Sequence, residues 1–320
     1  MIEIGRRLFK GTSSGREHQD RTGVPGSDTT PPNERATGLR PSPHDLHIGL
    51  ASDPGRIRDH NEDASLAWQL TLARQGQPPL TVGLFIIADG MGGHLQGEQA
   101  SALACCLAAD HVIRQVCLPM LSDDAGMAER VPLNEVLGSS MRIAHQAVAR
   151  RLPEAGTTMT LALLLNNGVY LAHVGDSRAY LGKQGHLHLL TRDHSMAARL
   201  LEMGQATPEE VAPQRNILYK ALGQGTRSEP DIMYHDLNQG QYLLLCCDGL
   251  WGKVTDEEMA AITEAAPTPD IACQNLVALA NEKGGEDNIS VILVARGWPL
   301  PVGGPARANP SASQVVNDGI

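Results

Sequence analysis

TMTLALLLNNGVYLAHVG, residues 158–175, holds two apolar runs on either side of Asn167-Gly168. An Asn-Gly pair between two apolar runs is the strongest short-range signal for a β-hairpin. The runs SRAYLGK (177–183) and HLHLLTR (186–192) follow directly and predict that the hairpin continues as a meander. This region therefore predicts antiparallel sheet at the centre of the fold.

The rest of the chain alternates between further strands and helices. Apolar runs of strand length predict strands at 47–53, 63–72, 81–88, 231–237, 241–247 and 289–295. Helical periodicity predicts helices at 95–116, 133–152, 192–205, 255–265 and 269–282. Strand runs interrupted by helix pairs indicate an α+β fold rather than a parallel βαβ array, and two packed sheets flanked by helices would use every element.

Composition predicts one folded domain with a tail at each end. Residues 1–45 are rich in Gly, Pro, Ser and Thr and are predicted to be a disordered tail, and residues 297–320 a flexible one. The domain between them spans 46–296. The start of the chain has no apolar signal segment and no apolar run approaches about 18 residues, so we expect a cytoplasmic protein that does not enter a membrane.

The charge and the cysteines exclude some function classes. The net charge of −10 argues against non-specific binding to nucleic acid, which needs a basic face. The six cysteines include two adjacent pairs but no CxxC spacing, which argues against a zinc site. Their apolar surroundings predict buried, unreactive thiols.

Acidic residues lie beside several apolar runs. Three pairs, predicted as turns, are Asp89-Gly90, Asp248-Gly249 and Asp287-Asn288, and a fourth pair is Glu62-Asp63. Strands that end in carboxylates gather charge at one rim of a sheet, where the carboxylates repel each other unless cations bind. The pattern predicts an all-oxygen metal site, and Arg58 indicates an anionic substrate.

Each piece has a simpler interpretation when it is taken alone. Asp-Gly is a common turn dipeptide, and residues 58–63 could be a solvated loop. Asp176-Ser177-Arg178 could be a hairpin turn with a surface ion pair between its Asp and its Arg. DGMGGH (89–94) favours the metal site, because glycines let backbone carbonyls approach an ion.

Taken together and in order, these pieces resemble a known family. The stretches are RxxNEDA (58–64), DGMGGH (89–94), GTTMT (156–160), HVGDSRAY (173–180), DHS (193–195), ALG (221–223), CDGLW (247–251) and EDNISVI (286–292). Their order resembles the metal-dependent protein serine/threonine phosphatases, the PPM or type 2C family, in its bacterial stand-alone form. The resemblance covers roughly 47–296 and implies a central sandwich of two antiparallel β-sheets with α-helices on both outer faces.

The resemblance also implies roles for particular residues. Asp89 would bridge two divalent ions and Gly90 would offer its carbonyl to one of them. Asp248 and Asp287 would complete the other site. The remaining implied metal residues are Glu62 and Asp63, as ligands or as acceptors for metal-bound waters, and Asp176, which with Asp248 would bind a third, weaker ion.

Phosphate recognition is implied for two residues. Arg58 would be the phosphate clamp, so that Arg58, Asp89 and Asp248 form the implied catalytic set. Asn288 would support Asp287 and lie near the phosphate. Gly156-Thr157-Thr158 resembles the structural turn into a core strand, and residues 195–220 the variable flap beside the site.

The implied reaction is hydrolysis of phosphoserine and phosphothreonine by direct attack of a metal-bound hydroxide. Mn²⁺ or Mg²⁺ would be the cofactor, with two ions bound tightly and the third weakly. We expect a monomer that opposes a serine/threonine protein kinase in signal transduction. Two alternatives remain open: a non-catalytic member that binds phosphoproteins, and a hydrolase of small phosphoesters.

Two positions depart from the family pattern. Met91 stands where many members have a His that could protonate the leaving group, and Gly252 stands where some add another carboxylate. His60 and His94 are near the motif in sequence, but partly exposed loop histidines are the favoured interpretation of both.

Overall fold

The structure is a computed structural model, and it describes residues 46–93, 95–121, 131–211, 217–225 and 229–298. The predicted N-terminal tail and His94 lie outside the described residues, as does the predicted C-terminal tail beyond Trp298. The first described strand begins at Leu46 and the last ends at Arg296.

The strands and helices of the described residues follow the predicted order. The strands are β1 Leu46–Asp53, β2 Asp63–Leu72, β3 Leu80–Met91, β4 Gly156–Thr157, β5 Met159–Leu165, β6 Gly168–Val174, β7 Arg178–Lys183, β8 His186–Leu189, β9 Asp231–Asp236, β10 Tyr242–Cys246 and β11 Ile289–Arg296. The helices are α1 Gln96–Val112, α2 Leu118–Leu121, α3 Leu133–Arg151, α4 Met196–Glu202, α5 Pro208–Val211, α6 Asp248–Trp251, α7 Asp256–Ala265 and α8 Pro269–Glu282. A π-helical turn, Ile113–Cys117, joins α1 to α2.

The strands form two antiparallel sheets, as predicted. One sheet has the order β1-β11-β10-β7-β8, and the other has the order β2-β3-β5-β6-β9 with β4 paired to the end of β3. Side chains from both sheets meet in an apolar interior, where Phe85, Leu164, Leu243 and Ile292 are at most 1% exposed. The fold is therefore a β-sandwich, which agrees with the predicted fold class.

Helices cover the outer face of each sheet. Helices α1 and α3 pack against each other, α1 on β3 and α3 on β6, with Ala104 and Met141 fully buried. Helix α8 packs on β1 and β11, and α7 packs on α8. The predicted Thr255–Glu258 capping box is present at the start of α7, where the Thr255 hydroxyl accepts from the Glu258 N–H. Small residues such as Ala104 allow α1 to lie close to the sheet.

One described helical segment, Gln96–Leu121, is long and apolar enough to cross a membrane on length and composition alone. In the structure its apolar side chains Ala100, Ala104, Ala108 and Val112 are fully buried in the core between the sheet and α3. The apolar face of this segment therefore packs against the core of the same domain.

The predicted hairpin is confirmed, but its turn lies one residue earlier. Strands β5 and β6 pair with Leu165 opposite Gly168, so the turn residues are Asn166 and Asn167. Asn166 has a φ of 52°. Asn tolerates this left-handed conformation better than most residues, so the glycine is free to begin the strand.

Three local predictions need correction. Asp89-Gly90 is not a turn, because β3 continues through Met91, and Asp248-Gly249 opens the short helix α6. The helix predicted at 192–205 is shorter: Ser195 caps it by accepting from the Ala198 N–H, and it ends at Glu202. Among the cysteines, Cys106 is exposed on α1, whereas the other five are buried.

Candidate active site

One rim of the sandwich carries an acidic cavity of about 200 Å³. Strand β2 begins there, β10 ends there and β11 begins just beyond Asp287, so the fold brings distant acidic residues together. The cavity is lined by Arg58, Glu62, Asp89, Gly90, Met91, Gly92, Thr158, Asp176, Leu218, Asp248, Asp287 and Asn288. Every predicted site residue except Asp63 lines it.

Asp89 is held in place by hydrogen bonds to its backbone N–H and its backbone carbonyl. Its N–H donates to the Thr158 hydroxyl at 2.9 Å, and its carbonyl accepts from the Thr158 N–H at 2.8 Å. The Thr157 hydroxyl donates to the same carbonyl at 2.9 Å. These threonines belong to the GTT stretch, which sequence reasoning treated only as a turn. The structure shows that they fix the carboxylate-bearing end of β3.

Gly90 is required by close packing. A Cβ at this position would lie 2.1 Å from the Gly97 carbonyl oxygen and 2.6 Å from the Glu62 carbonyl oxygen. Gly97 is constrained in turn, because its Cβ would lie 2.7 Å from the Glu62 carboxyl carbon. The two glycines let the first turn of α1 approach Glu62. Gly97 belongs to none of the sequence motifs described above, so this contact could not be predicted from them.

Asp63 lies next to Asp89, beneath the cavity. The two residues are directly opposite in the β2–β3 ladder. Both carboxylate oxygens of Asp63, and Oδ1 of Asp248, are buried with no hydrogen-bond partner. Buried carboxylate oxygens are rarely left without partners, so this is where a cation would satisfy them.

Burial and mutual repulsion raise the pKa values of these carboxyl groups. Burial is the larger cause for Asp63, whose pKa rises to about 7, with Asp248 and Asp287 adding to it. Burial and then Asp287 raise the pKa of Asp248 to about 6. The pKa of Asp89 is raised well above its usual value by burial and then by Asp63 and Asp248. Carboxyl groups that are buried close to one another resist ionisation unless cations compensate their charge.

The donor set fits hard divalent cations. It consists of carboxylates and the Gly90 carbonyl, the oxygen ligands that Mg²⁺ and Mn²⁺ prefer. In the described part of the chain, no group of three or more Asp, Glu, His or Cys side chains is arranged to hold a metal ion by itself. The residues would therefore hold ions together with the carbonyl and with water, which such ions commonly retain.

Arg58 places a cation at the edge of this acidic cavity. Its guanidinium donates to Asp287 Oδ2 at 2.9 Å, while half of its side chain stays exposed. A half-exposed guanidinium has donors left for a second partner, and its planar fork matches phosphate oxygens. The position agrees with the predicted phosphate clamp.

Asn288 is occupied by the loop that carries Arg58. Its Nδ2 donates to the carbonyls of Pro54 and His60 at 2.9 and 2.8 Å. Its Oδ1 accepts from the Glu62 N–H at 2.8 Å. Both amide hydrogens are used within the protein, so Asn288 positions this loop, and it also lines the cavity in which the phosphate is predicted to bind. The predicted support of Asp287 fits the structure, because the Asn288 N–H donates to Asp287 Oδ1 at 2.9 Å.

Asp176 is buried in the turn between β6 and β7, and it does not pair with Arg178. Arg178 makes a two-pronged contact with Asp193, at 3.0 and 2.8 Å, and lies 3.6 Å from the ring centre of Trp251. The Trp251 indole N–H donates to the Asp176 carbonyl. Burial, then Asp248 and Asp193, raise the pKa of the Asp176 carboxyl to about 8.

The remaining predictions concern the edge of the cavity. Met91 lines it, whereas His60 is an exposed loop residue that does not. Leu218 lines the cavity from within the predicted flap. The N–H of the adjacent Tyr219 donates to the His194 carbonyl, and the His194 N–H donates to the carbonyl of Gly175, directly after β6. Leu218 could not be predicted as a lining residue, because a single apolar residue in an irregular segment forms no recognisable pattern.

Comparison with known proteins places this arrangement in a family. A family model described as protein phosphatase 2C matches residues 60–280. The serine/threonine phosphatase Stp of Listeria monocytogenes is 34% identical over 253 residues, which cover 78% of this chain and 96% of that protein.

Solved structures give the same result. The S. agalactiae serine/threonine phosphatase matches with a TM-score of 0.63 at 32% identity, covering 78% of this chain and 99% of that one. The catalytic domain of the serine/threonine protein phosphatase PstP, in complex with two manganese ions, matches with a TM-score of 0.61 at 31% identity, covering 78% and 97%. This chain belongs to the protein phosphatase 2C family.

Proposed function

We propose that this protein is a metal-dependent phosphatase that hydrolyses phosphoserine and phosphothreonine in proteins. The observation that carries the proposal is the single cavity in which Arg58 stands beside Asp89, Asp248 and Asp287. Its family relatives are named serine/threonine phosphatases at this level of identity over most of the chain.

Two ions would be held by the carboxylates at the rim. Asp89 would contact both, with the Gly90 carbonyl completing one site and Asp248 and Asp287 the other. Glu62 and Asp63 would accept hydrogen bonds from the surrounding water. When bound, Mn²⁺ or Mg²⁺ supplies Lewis-acid activation of water and offsets the charge of the phosphate.

The residues of the chain would then bind and orient the phosphate. Arg58 would exchange part of its contact with Asp287 for two phosphate oxygens, and Asn288 would keep its loop in place. The Thr158 hydroxyl is already bonded to the Asp89 N–H and to Ser177 at 2.7 Å. No Ser or Cys is among the described residues that line the cavity. The cavity carboxylates would be engaged as metal ligands, so the site favours attack by water rather than by a side chain.

Asp176 and Asp248 would hold a third, weaker ion. The two carboxyl groups influence each other, since Asp248 is the largest cause after burial of the raised pKa of Asp176. Gly252 provides no side-chain ligand there, and few anionic ligands mean weak binding. Millimolar affinity is the order of magnitude expected for such a site.

Substrate class is tested by comparing phosphate release from phosphothreonine and phosphotyrosine peptides and from p-nitrophenyl phosphate, each with Mn²⁺ and with a chelator. The proposal predicts metal-dependent turnover with preference for the phosphothreonine peptide. Preference for the small ester would favour the alternative of a small-phosphoester hydrolase. No turnover with tight phosphopeptide binding would favour the non-catalytic alternative.

The cellular role is part of the same proposal. A phosphatase of this class would oppose a serine/threonine kinase in a signalling pathway, in the cytoplasm and as a monomer. The net charge of −10 argues against a nucleic acid as the partner.

A further inference from the structure

His194 lies buried between two parts of the cavity wall. It is 2% exposed. Its N–H donates to the Gly175 carbonyl at 2.7 Å, and its own carbonyl accepts from the Tyr219 N–H at 2.9 Å. On one side it therefore contacts the turn that carries Asp176. On the other side it contacts the segment that includes the cavity-lining Leu218.

The imidazole adds a second set of bonds to the same two parts. Its Nδ1 accepts from the Gly175 N–H at 3.0 Å. Because Nδ1 accepts from an amide, the ring proton is on Nε2, which donates to Asp231 Oδ2 at 3.1 Å. The other carboxylate oxygen of Asp231 accepts from Lys220 Nζ at 2.8 Å. A chain of contacts thus joins Gly175 to Lys220 through His194 and Asp231.

Gly175 has a conformation that depends on such support. Its φ is 111°, in the region that favours glycine, and a Cβ there would lie 2.5 Å from Thr158 Cβ. Strand β6 has ended at Val174, so the Gly175 amide has left the sheet ladder. Without the imidazole, the buried Gly175 N–H would have no hydrogen-bond partner, and nothing would hold the turn in this orientation through that amide.

We infer that His194 is a positioning residue, which acts through Nδ1 to fix the turn of Asp176 against the segment that carries Leu218. The inference deepens the proposed function and rests on it, because the rate effect requires Asp176 to serve hydrolysis. His194 does not itself line the cavity. Its influence passes through the Gly175 amide.

The test uses two substitutions that separate the ring nitrogens. His194→Asn can place an amide oxygen where Nδ1 lies, whereas His194→Gln places its amide group nearer Nε2. We expect kcat on a phosphothreonine peptide to fall about tenfold or more in His194→Gln and much less in His194→Asn, as for other groups that orient a ligand. KM and the stoichiometry of tightly bound Mn²⁺ should stay unchanged in both.

A matched control is His145→Gln. His145 is also buried, and its Nδ1 accepts from the Gly223 N–H at 3.1 Å, but neither residue lines the cavity. This variant should lose stability with little change in kcat. Hydrogen exchange at the Gly175 amide adds a readout that needs no activity. Exchange should be faster in His194→Gln and close to the unmodified rate in His194→Asn.

The outcomes separate this inference from the proposed function. An unmodified protein without phosphatase activity contradicts the proposed function, and the exchange rates then still decide whether Nδ1 holds Gly175. Equal kcat in both His194 variants, a loss confined to KM, or unchanged exchange in His194→Gln overturns the inference. If His194→Gln does not fold, Asp231→Ala is the second test, because it removes the Nε2 partner and leaves Nδ1 in place. Like His194→Asn, it should keep most of kcat and the unmodified exchange rate at Gly175, and a large loss of kcat with unchanged exchange at Gly175 overturns the inference.

Discussion

Asp63 in β2 lies directly opposite Asp89 in β3, and neither carboxylate oxygen of Asp63 has a hydrogen-bond partner. Two acidic side chains at adjacent ladder positions would destabilise an ordinary sheet. Here Asp89 lines the cavity and Asp63 is buried beside it, so this rim of the sandwich is less stable without cations because it gathers negative charge.

The metal-free protein should lose stability as the pH rises. The folded-state pKa values of Asp63 and Asp176 are raised from 3.8 to about 7 and about 8, respectively. At pH values between 3.8 and these raised pKa values, the folded protein therefore binds more protons than the unfolded chain. The stability contribution is complete below about pH 4 and is lost as pH rises through about 8, by on the order of a few kcal/mol.

Urea unfolding with a chelator, at about pH 5 and about pH 8, measures this difference. Added Mn²⁺ should remove most of it, because ions bind the ionised carboxylates of the folded state. Asp63→Asn should also reduce it. Equal unfolding free energies at the two pH values would show that the carboxylates do not carry this penalty.

Asp89→Asn and Asp248→Ala should abolish turnover without unfolding the protein. Each removes a proposed ligand and also one of the charges that repel its neighbours in the metal-free state. The metal-free variants should therefore unfold at the same or higher urea concentration, while calorimetric titration shows lost Mn²⁺ binding. Retained turnover in Asp89→Asn would exclude it as the bridging ligand.

Arg58→Ala should mainly raise KM. The guanidinium would bind phosphate in the ground state as well as in the transition state, and loss of a charged hydrogen bond predicts a change of about tenfold or more. Arg58→Lys should recover the charge but only part of the affinity, because Lys has no planar fork. An unchanged KM in Arg58→Ala would mean that another group holds the phosphate.

Asp176→Ala should keep two tightly bound ions but lose most turnover on a phosphopeptide. The proposed weak site would lose one of its two carboxylates and with it the ion that would orient a water near the leaving group, and Met91 has no proton to donate there. Calorimetric titration with Mn²⁺ beside the peptide assay decides the point. Identical stoichiometry and identical rates would leave Asp176 as a turn residue.

The sequence predicted the layers and the acidic cluster well because both depend on local patterns. An apolar run of strand length predicted the observed bounds of β2, and helical periodicity predicted those of α8. Asp248 and Asp287 were indicated by their positions beside apolar runs. What it could not predict were partner choices. Arg178 is two residues from Asp176, yet it binds Asp193, which follows β8 and is brought alongside by the pairing of β7 with β8.

Saturation of hydrogen bonds was also beyond the sequence. Asn288 looked available for phosphate, but three backbone groups of the 54–62 loop use its amide. Asp89-Gly90 looked like a turn, but pairing with β4 extends the strand past it. Such outcomes depend on segments far apart in the chain.

The central claim is that divalent ions bound by the carboxylates of this cavity drive hydrolysis of phosphothreonine. The most direct measurement is phosphate release from a phosphothreonine peptide by protein dialysed exhaustively against chelator, with Mn²⁺ then titrated back, beside Asp89→Asn. The account predicts no release without metal, recovery with Mn²⁺ in the unmodified protein and none in the variant. Full activity in metal-free buffer would contradict it.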